Sequence, residues 1–355
     1  MPTRDSTLSV AALDLSIGRG LDFLSDRQAP SGEFTVHMST DHALEKDSVV
    51  DSSPFPTALI AYSLGFSNSP VAKAMIDRAI KFLLAEMEGR GLWRYWTKKH
   101  QYHSIIPPDL DDIACVSYVL RRQGVDFPEN LKLVLLNRDR RGLFYTWLTP
   151  RWPLPVDLAY WGVVLRQLLR PLNFYYFWKL NESDRYDVDC VVNSNVLLYL
   201  GEGPEAGPIV QYLTEALRRG EEACCDKWHL NRFTFYYAVS RNIYHGVDAL
   251  SVVRDEIVDR IIKSAKEDGS IGETLLETAL AINALLNLNA TPRELRDAVR
   301  FLQSTQQAGG NWAKIVMYYG GPKKYYGWGS EELTTGFCLE ALIRVREWLL
   351  GRGEE

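Results

Sequence analysis

Two phrases alternate along this chain, and their alternation limits what it can fold into. The first is an apolar helical pattern that closes on a glycine and an aromatic. It reads "FLSDRQAPSGEF" (Phe23 to Phe34), "FLLAEMEGRGLW" (Phe82 to Trp93) and "FLQSTQQAGGNW" (Phe301 to Trp312), with a reduced form "IIKSAKEDGSIG" (Ile261 to Gly272). The second is an Ala- and Leu-rich helical stretch entered through small or acidic residues. It reads "FPTALIAYSLG" from Phe55, "LDDIACVSYVL" from Leu110, "LLETALAINALL" from Leu275 and "ELTTGFCLEALI" from Glu332. A looser copy, "DVDCVVNSNVLLYLG", starts at Asp187, and a further apolar helix, "RFTFYYAVSRNIYHG", starts at Arg232. No strand-like alternation stands out, so the repeating unit is a helix pair.

Helix pairs repeated in this way bury their faces either in an open solenoid or in a closed ring. Ala58, Ala114, Ala279 and Gly336 recur at matching places in the second helices, which suits crowded inner helices. Charge collects on the first helices, as in "RELRDAVR". The expectation is an all-α chain, a single α/α barrel of about six inner and six outer helices, forming one domain over residues 1–355. An aromatic insertion around 143–180 ("FYTWL", "AYW", "NFYYFWKL") interrupts the spacing and is a second candidate for cavity wall, since a single barrel lacks a partner domain to close its end. Ten Trp and 18 Tyr are a heavy load for a simple core, and their polar tips need partners, so many are expected around a cavity. A net charge of -5 with no long basic stripe argues against a nucleic-acid surface. The five cysteines show no CxxC pair and no disulfide-rich spacing, which points to a reducing cytoplasm. The start of the chain has no apolar signal core. The uncharged stretch Ser52 to Ala72 is broken by Pro54, Pro56 and Pro70, so it is not read as a membrane span.

One short segment carries chemistry. "PPDLDDIACVSYVL" (Pro107 to Leu120) places Asp109, Asp111 and Asp112 directly ahead of an apolar helix. Local physics explains them as capping: Asp109 suits an N-cap, Asp112 sits at capping-box spacing, and acids favour the positive end of the helix dipole. The same carboxylates also suit an acid site. Like charges held together resist joint ionisation, and burial keeps a proton on at least one of them.

At these residues the chain resembles a family. "QQAGGNW", with Gln306, Gly310 and Trp312, matches the QxxxGxW signature of squalene–hopene and oxidosqualene cyclase repeats, and "RQAPSGEF" matches it with Phe34 in place of Trp. "DLDD" matches the DxDD signature of class II terpene cyclases. The resemblance runs along nearly the whole chain as a repeat frame. It departs from the usual two or three barrel domains, since there is room for one, and Ile113 follows the motif where Thr is usual; the chain is most similar to single-domain meroterpenoid cyclases.

The resemblance implies that Asp111 protonates the terminal alkene of a prenyl chain, with Asp109 and Asp112 orienting it. The resulting carbocation would cyclise to a polycyclic product and end by deprotonation, an isomerase- or lyase-type reaction. Trp93, Trp96, Trp312 and Trp328, with Tyr325 and Tyr326, are the candidate aromatic wall, because ring faces stabilise cations; ordinary packing between repeats is the alternative for each Trp. Asn193 and Asn195 would contact Asp111 across the barrel or orient a water, against a reading as satisfied helix-end groups.

The same barrel serves protein prenyltransferase β-subunits, which hold zinc. "DVDC" offers Asp187, Asp189 and Cys190, but Glu331 and Glu332 stand where the third ligand, a histidine, is wanted. No DDxxD appears, so no metal is expected. Mg²⁺ would matter only for a diphosphate substrate. The expected substrate is a hydrophobic prenylated aromatic acid, farnesyl- or geranylgeranyl-dihydroxybenzoate, met without nucleic acid and with transient membrane contact. The competing readings are a class II cyclase of a prenyl diphosphate and a non-catalytic prenyl-lipid-binding barrel.

Overall fold

The computed structural model describes residues 8–151, 157–169, 171–181 and 183–353. Among these the chain is mostly helical, with fourteen α-helices. Six come from the second phrase of each unit: α2 (Pro54–Leu64), α4 (Leu110–Arg122), α8 (Cys190–Leu200), α10 (Arg232–Tyr244), α12 (Leu275–Asn287) and α14 (Glu331–Gly351). Each packs on the next, and α14 packs back on α2, so the contacts run round a closed circuit. Helices α2 and α8 are buried on nearly every side, which explains their low amphipathicity. Gly336 shows the crowding: a Cβ there would lie 3.1 Å from Ile60.

The remaining helices are α1 (Val10–Arg27), α3 (Pro70–Glu86), α5 (Leu131–Leu136), α6 (Leu158–Leu168), α7 (Pro171–Asn181), α9 (Ala206–Arg218), α11 (Arg254–Ile262) and α13 (Arg293–Thr305). Of these, α1, α3, α9 and α13 pack outside the six, and α13 has the strongest one-sided pattern of the chain, burying Leu295, Ala298, Val299 and Leu302. The described part of the aromatic insertion comprises residues 143–151 and the helices α6 and α7. Residues 152–156 and 170, which fall within that expected segment, lie outside the described residues.

The glycine of the first phrase has a steric cause. Gly32 and Gly310 adopt φ of 94° and 88°, and a Cβ would come within 2.1 Å of Arg78 O and 2.3 Å of Arg19 O respectively. Only glycine tolerates both that conformation and that approach. The motif glutamines tie the same turns together. Gln28 Nε2 donates to Gly32 O and Met75 O, and Gln306 Nε2 donates to Gly310 O and Ser16 O. Each glutamine thus links its own turn to the next outer helix.

Two features depart from the sequence expectation. Four short strands, β1 (Val36–Ser39), β2 (Val49–Asp51), β3 (Tyr318–Gly320) and β4 (Tyr326–Gly329), pair antiparallel in the order β2-β1-β4-β3. Strands of three or four residues cannot display alternation, and the β1–β4 pairing joins segments nearly three hundred residues apart, so no local signal announces it. Cys190 and Cys225 form a disulfide that pins the start of α8 to the loop before α10; their separation of 35 residues carried no pattern. Among the described residues no helix is long and apolar enough to cross a membrane.

Candidate active site

Helices α2, α4 and α8 present their N-terminal turns to a cavity of about 640 Å³, its open mouth included. Phe55 enters it from the first turn of α2, Asp111 and Asp112 from α4 and Val192 from α8, while His229 lies just ahead of α10. Parallel helix N-termini converging on one space make it favourable to negative charge.

Asp109 caps α4 by accepting from Asp111 N at 2.7 Å. Capping is therefore real but incomplete as an explanation. Asp112 makes no return bond to the cap: its carboxyl is buried, and Oδ1 has no hydrogen-bond partner. Burial, and then the Asp111 charge, pushes its pKa well above the carboxylate range. Burial followed by the charges of Asp112 and Asp111 does the same to Asp109. Both flanking carboxyls thus favour the protonated form more than a free carboxyl does.

Asp111 lies between two donors from other elements. Asn195 Nδ2 donates to its Oδ1 at 2.6 Å, and His229 Nε2 donates to its Oδ2 at 3.3 Å. Asn195 is itself oriented by the buried Arg241, whose guanidinium donates to Asn195 Oδ1. Burial pulls the His229 imidazole down, but its bond to Asp111 and the charges of Asp226 and Asp111 outweigh this and raise its pKa. Asp226 holds the loop in place by accepting from Trp228 N and His229 N, both at 2.8 Å. A deprotonated Asp111 would therefore face an imidazole N–H and an amide N–H, both placed to bond a carboxylate at this position.

The rest of the wall is aromatic. Tyr95, Trp96, Tyr318 and Trp328 stand together, with the Tyr95 and Tyr318 hydroxyls 3.0 Å apart and the Tyr318 and Trp328 rings stacked at 14°. On the other side Trp147, Phe177 and Trp228 meet edge to face. The predicted residues separate accordingly. Asp109, Asp111, Asp112, Trp96 and Trp328 line the cavity, and Asn195 reaches it through Asp111.

Trp93 and Trp312 do not line it. Both are fully buried between helices, with Nε1 donating to Leu83 O and Leu302 O, each ten residues earlier. Asn193 is also absent from the lining. Its side chain accepts from Phe144 N and donates to Phe144 O. It occupies the place that Thr57, Thr278 and Thr335 hold in other units, accepting from Phe34 N, Ile271 N and Trp312 N. Tyr325 is exposed, and Tyr326 packs behind Trp328 without lining the cavity.

Trp147 and Phe177 come from the aromatic insertion that the sequence offered as cavity wall, whereas sequence reasoning passed over His229, Phe55, Tyr95, Trp228, Tyr318 and Tyr319. Phe55 and His229 shared one usable signal, since each sits where the chain enters an inner helix, as the acid motif does. The zinc-type residues are engaged elsewhere. Cys190 is in the disulfide, Asp187 pairs with Lys227, Asp189 accepts from Thr146 Oγ1 at 2.5 Å, and Glu331 and Glu332 pair with Arg27. Among the described residues no three His, Cys, Asp or Glu side chains come together as a ligand set.

No family model matches the chain, and no curated protein matches it. Solved structures do. A variant of the type II terpene cyclase MstE from Scytonema, in complex with geranylgeranyl dihydroxybenzoate, superposes with a TM-score of 0.70 at 13% identity, covering 95% of this chain and 98% of that one. A protein from Actinoplanes gives 0.67 at 18% identity, covering 94% and 99%. A possible member of the GH105 family from Salmonella enterica gives 0.55 at 9% identity, covering 97% and 96%. The fold is thus shared with terpene cyclases and with a protein of another class, and only the site separates these functions.

Proposed function

We propose that the chain is a class II terpene cyclase built as a single α/α barrel. In this reading Asp111 protonates the terminal alkene of a prenylated aromatic acid. The observation that carries it is Asp111 itself, set in an aromatic cavity between Asn195 and His229, with proton-holding Asp109 and Asp112 beside it. A protein that only held a prenyl lipid would need the aromatic rings but not this acid.

The Asp111 carboxyl proton passes to the alkene carbon that leaves a tertiary cation, and the O–H electron pair stays on the carboxylate. Neighbouring alkenes then close rings by attacking the cation in turn, and loss of a proton ends the cascade, so product and substrate have equal mass. The bonds from Asn195 and His229 strengthen as the carboxylate forms, which lowers the barrier to transfer. Trp96, Trp328, Tyr95 and Tyr318 offer π surface worth about 2 kcal/mol each to a desolvated cation. The reaction is read as metal-free.

The aromatic acid would sit toward Trp228, where Lys324 Nζ stands 4.2 Å from the ring centroid and can pair with one carboxylate. MstE was solved with a substrate of this class, and that likeness supports the head-group choice. Delivery from a bilayer belongs to the same reading. Leu165 on α6, Leu169 just after it, and Leu172 and Tyr175 on α7 are exposed, while Phe177 of α7 lines the cavity. Incubation with geranylgeranyl dihydroxybenzoate should give isomeric cyclic products of unchanged mass. Recovery of substrate alone, or products independent of Asp111, would defeat the proposal.

A further inference from the structure

We infer that Asp51 is a positioning residue for the cyclisation cavity: a buried carboxylate outside the lining that sets two cavity tryptophans and gives that wall its preference for positive charge. Asp51 ends β2 and is nearly inaccessible. Its Oδ2 accepts from Trp96 Nε1 at 3.1 Å and from Trp328 Nε1 at 2.7 Å. Its Oδ1 accepts from His100 Nε2 at 3.0 Å and from Ser52 N at 3.1 Å. Four donors thus occupy the roughly four acceptor sites of a carboxylate.

This arrangement has two consequences. Trp96 and Trp328 both line the cavity and Asp51 does not, so both indole N–H edges are drawn out of the wall and ring carbons face the interior. An inward N–H would repel a cation and bind water; an outward one leaves π surface. The charge of Asp51 also stands uncancelled. Tyr102 N donates to His100 Nδ1, which fixes His100 as the neutral Nε2–H tautomer, and burial lowers its pKa in the same direction. A carboxylate behind two indoles increases their pull on a cation in front of them. His100 stacks on Trp96 at 8° and holds the assembly flat.

The inference rests on the cyclase reading for its purpose, but it can be tested without turnover. Dodecyltrimethylammonium, a chain with a cationic tip, and dodecanol, its neutral counterpart, would be titrated into the wild type, Asp51→Asn and Trp96→Phe while tryptophan fluorescence is followed. Asp51→Asn keeps the shape and an acceptor oxygen but loses the charge. It should weaken the ammonium probe about tenfold and leave dodecanol within twofold. Trp96→Phe keeps a ring but frees it from Asp51, and should weaken the ammonium by a smaller factor. In turnover with wild-type substrate, Asp51→Asn should raise the share of partly cyclised, early-deprotonated products, with KM within twofold. A purely structural Asp51 would weaken both probes equally and leave product ratios unchanged, which overturns the inference. If Asp51→Asn does not fold, Trp96→Phe still decides: equal loss of both probes counts against it. A wild type that prefers the ammonium yet cyclises nothing would refute the cyclase reading and leave this inference standing.

Discussion

Two asparagines two residues apart on α8 offer a sharp comparison. Asn193 and Asn195 are both buried, yet one serves the repeat frame and the other serves Asp111. In Asn195→Ala the carboxylate loses a donor at 2.6 Å. A hydrogen bond to a charged group contributes about 1.5–3 kcal/mol. Because this bond strengthens as Asp111 gives up its proton, most of that falls on the chemical step. At about 1.36 kcal/mol per decade of rate, kcat should drop roughly 10- to 150-fold. In Asn193→Ala the N–H and C=O of Phe144 lose their side-chain partner. Each unsatisfied buried group costs about 1–3 kcal/mol, so stability should fall by about 2–6 kcal/mol, while kcat per folded molecule stays within twofold. Asn195→Ala also loosens Arg241 and so costs some stability, which makes kcat per folded molecule the discriminating quantity. Denaturant melts give the folded fraction, and single-turnover assays with geranylgeranyl dihydroxybenzoate, read by mass spectrometry, give the rate. Equal rates for the two variants, or a wild-type rate for Asn195→Ala, would refute the assignment of Asn195 to the acid.

Asp111→Asn, which keeps the shape and loses the acidic proton, should abolish cyclisation with little change in melting temperature; full activity would remove Asp111 from the mechanism. Stability should decline from about pH 4.5 to 8, because Asp109, Asp112 and Asp189 (the last raised to about 8, chiefly by burial and then by Asp226) hold protons in the fold that the unfolded chain releases near pH 4. His229, raised in the fold, adds stability below its unfolded value and loses it as pH rises, so it has the same sign. Glu88 works the other way at the acid end: burial opposes it, but bonds to His103 and Arg94 lower its pKa to about 2, so its contribution is lost only toward that pH. Urea melts across this range decide, and stability that climbs from pH 4.5 to 8 would contradict the picture. EDTA should leave cyclisation of the prenyl benzoate unchanged; in competition with the matching prenyl diphosphate, exclusive Mg²⁺-dependent use of the diphosphate would overturn the head-group assignment. Trp312→Phe should cost about 1–2 kcal/mol through the lost bond to Leu302 O and leave product ratios alone, whereas a changed ratio would return Trp312 to the cavity.

The repeat is written in the order of residues along the chain. Six inner helices were legible because each carries an apolar run with small residues at fixed places. The turns were legible because Gly32 and Gly310 stand where no side chain fits. The acid motif was legible for a similar reason, since carboxylates at a helix entry leave a local mark whether they cap or catalyse. Tertiary structure alone decided which of those readings held at each residue. Asp109 caps and Asp112 does not, Asn195 reaches an acid 84 residues away, and Asn193 reaches backbone instead. Trp93 and Trp96 stand three residues apart, yet one ends between helices and the other in the cavity wall. Asp51 and the four-stranded sheet left no local mark, because their partners come from segments far apart in the chain. Such groups acquire their role only when ring closure brings those segments together, and spacing along the sequence cannot encode a distance across it.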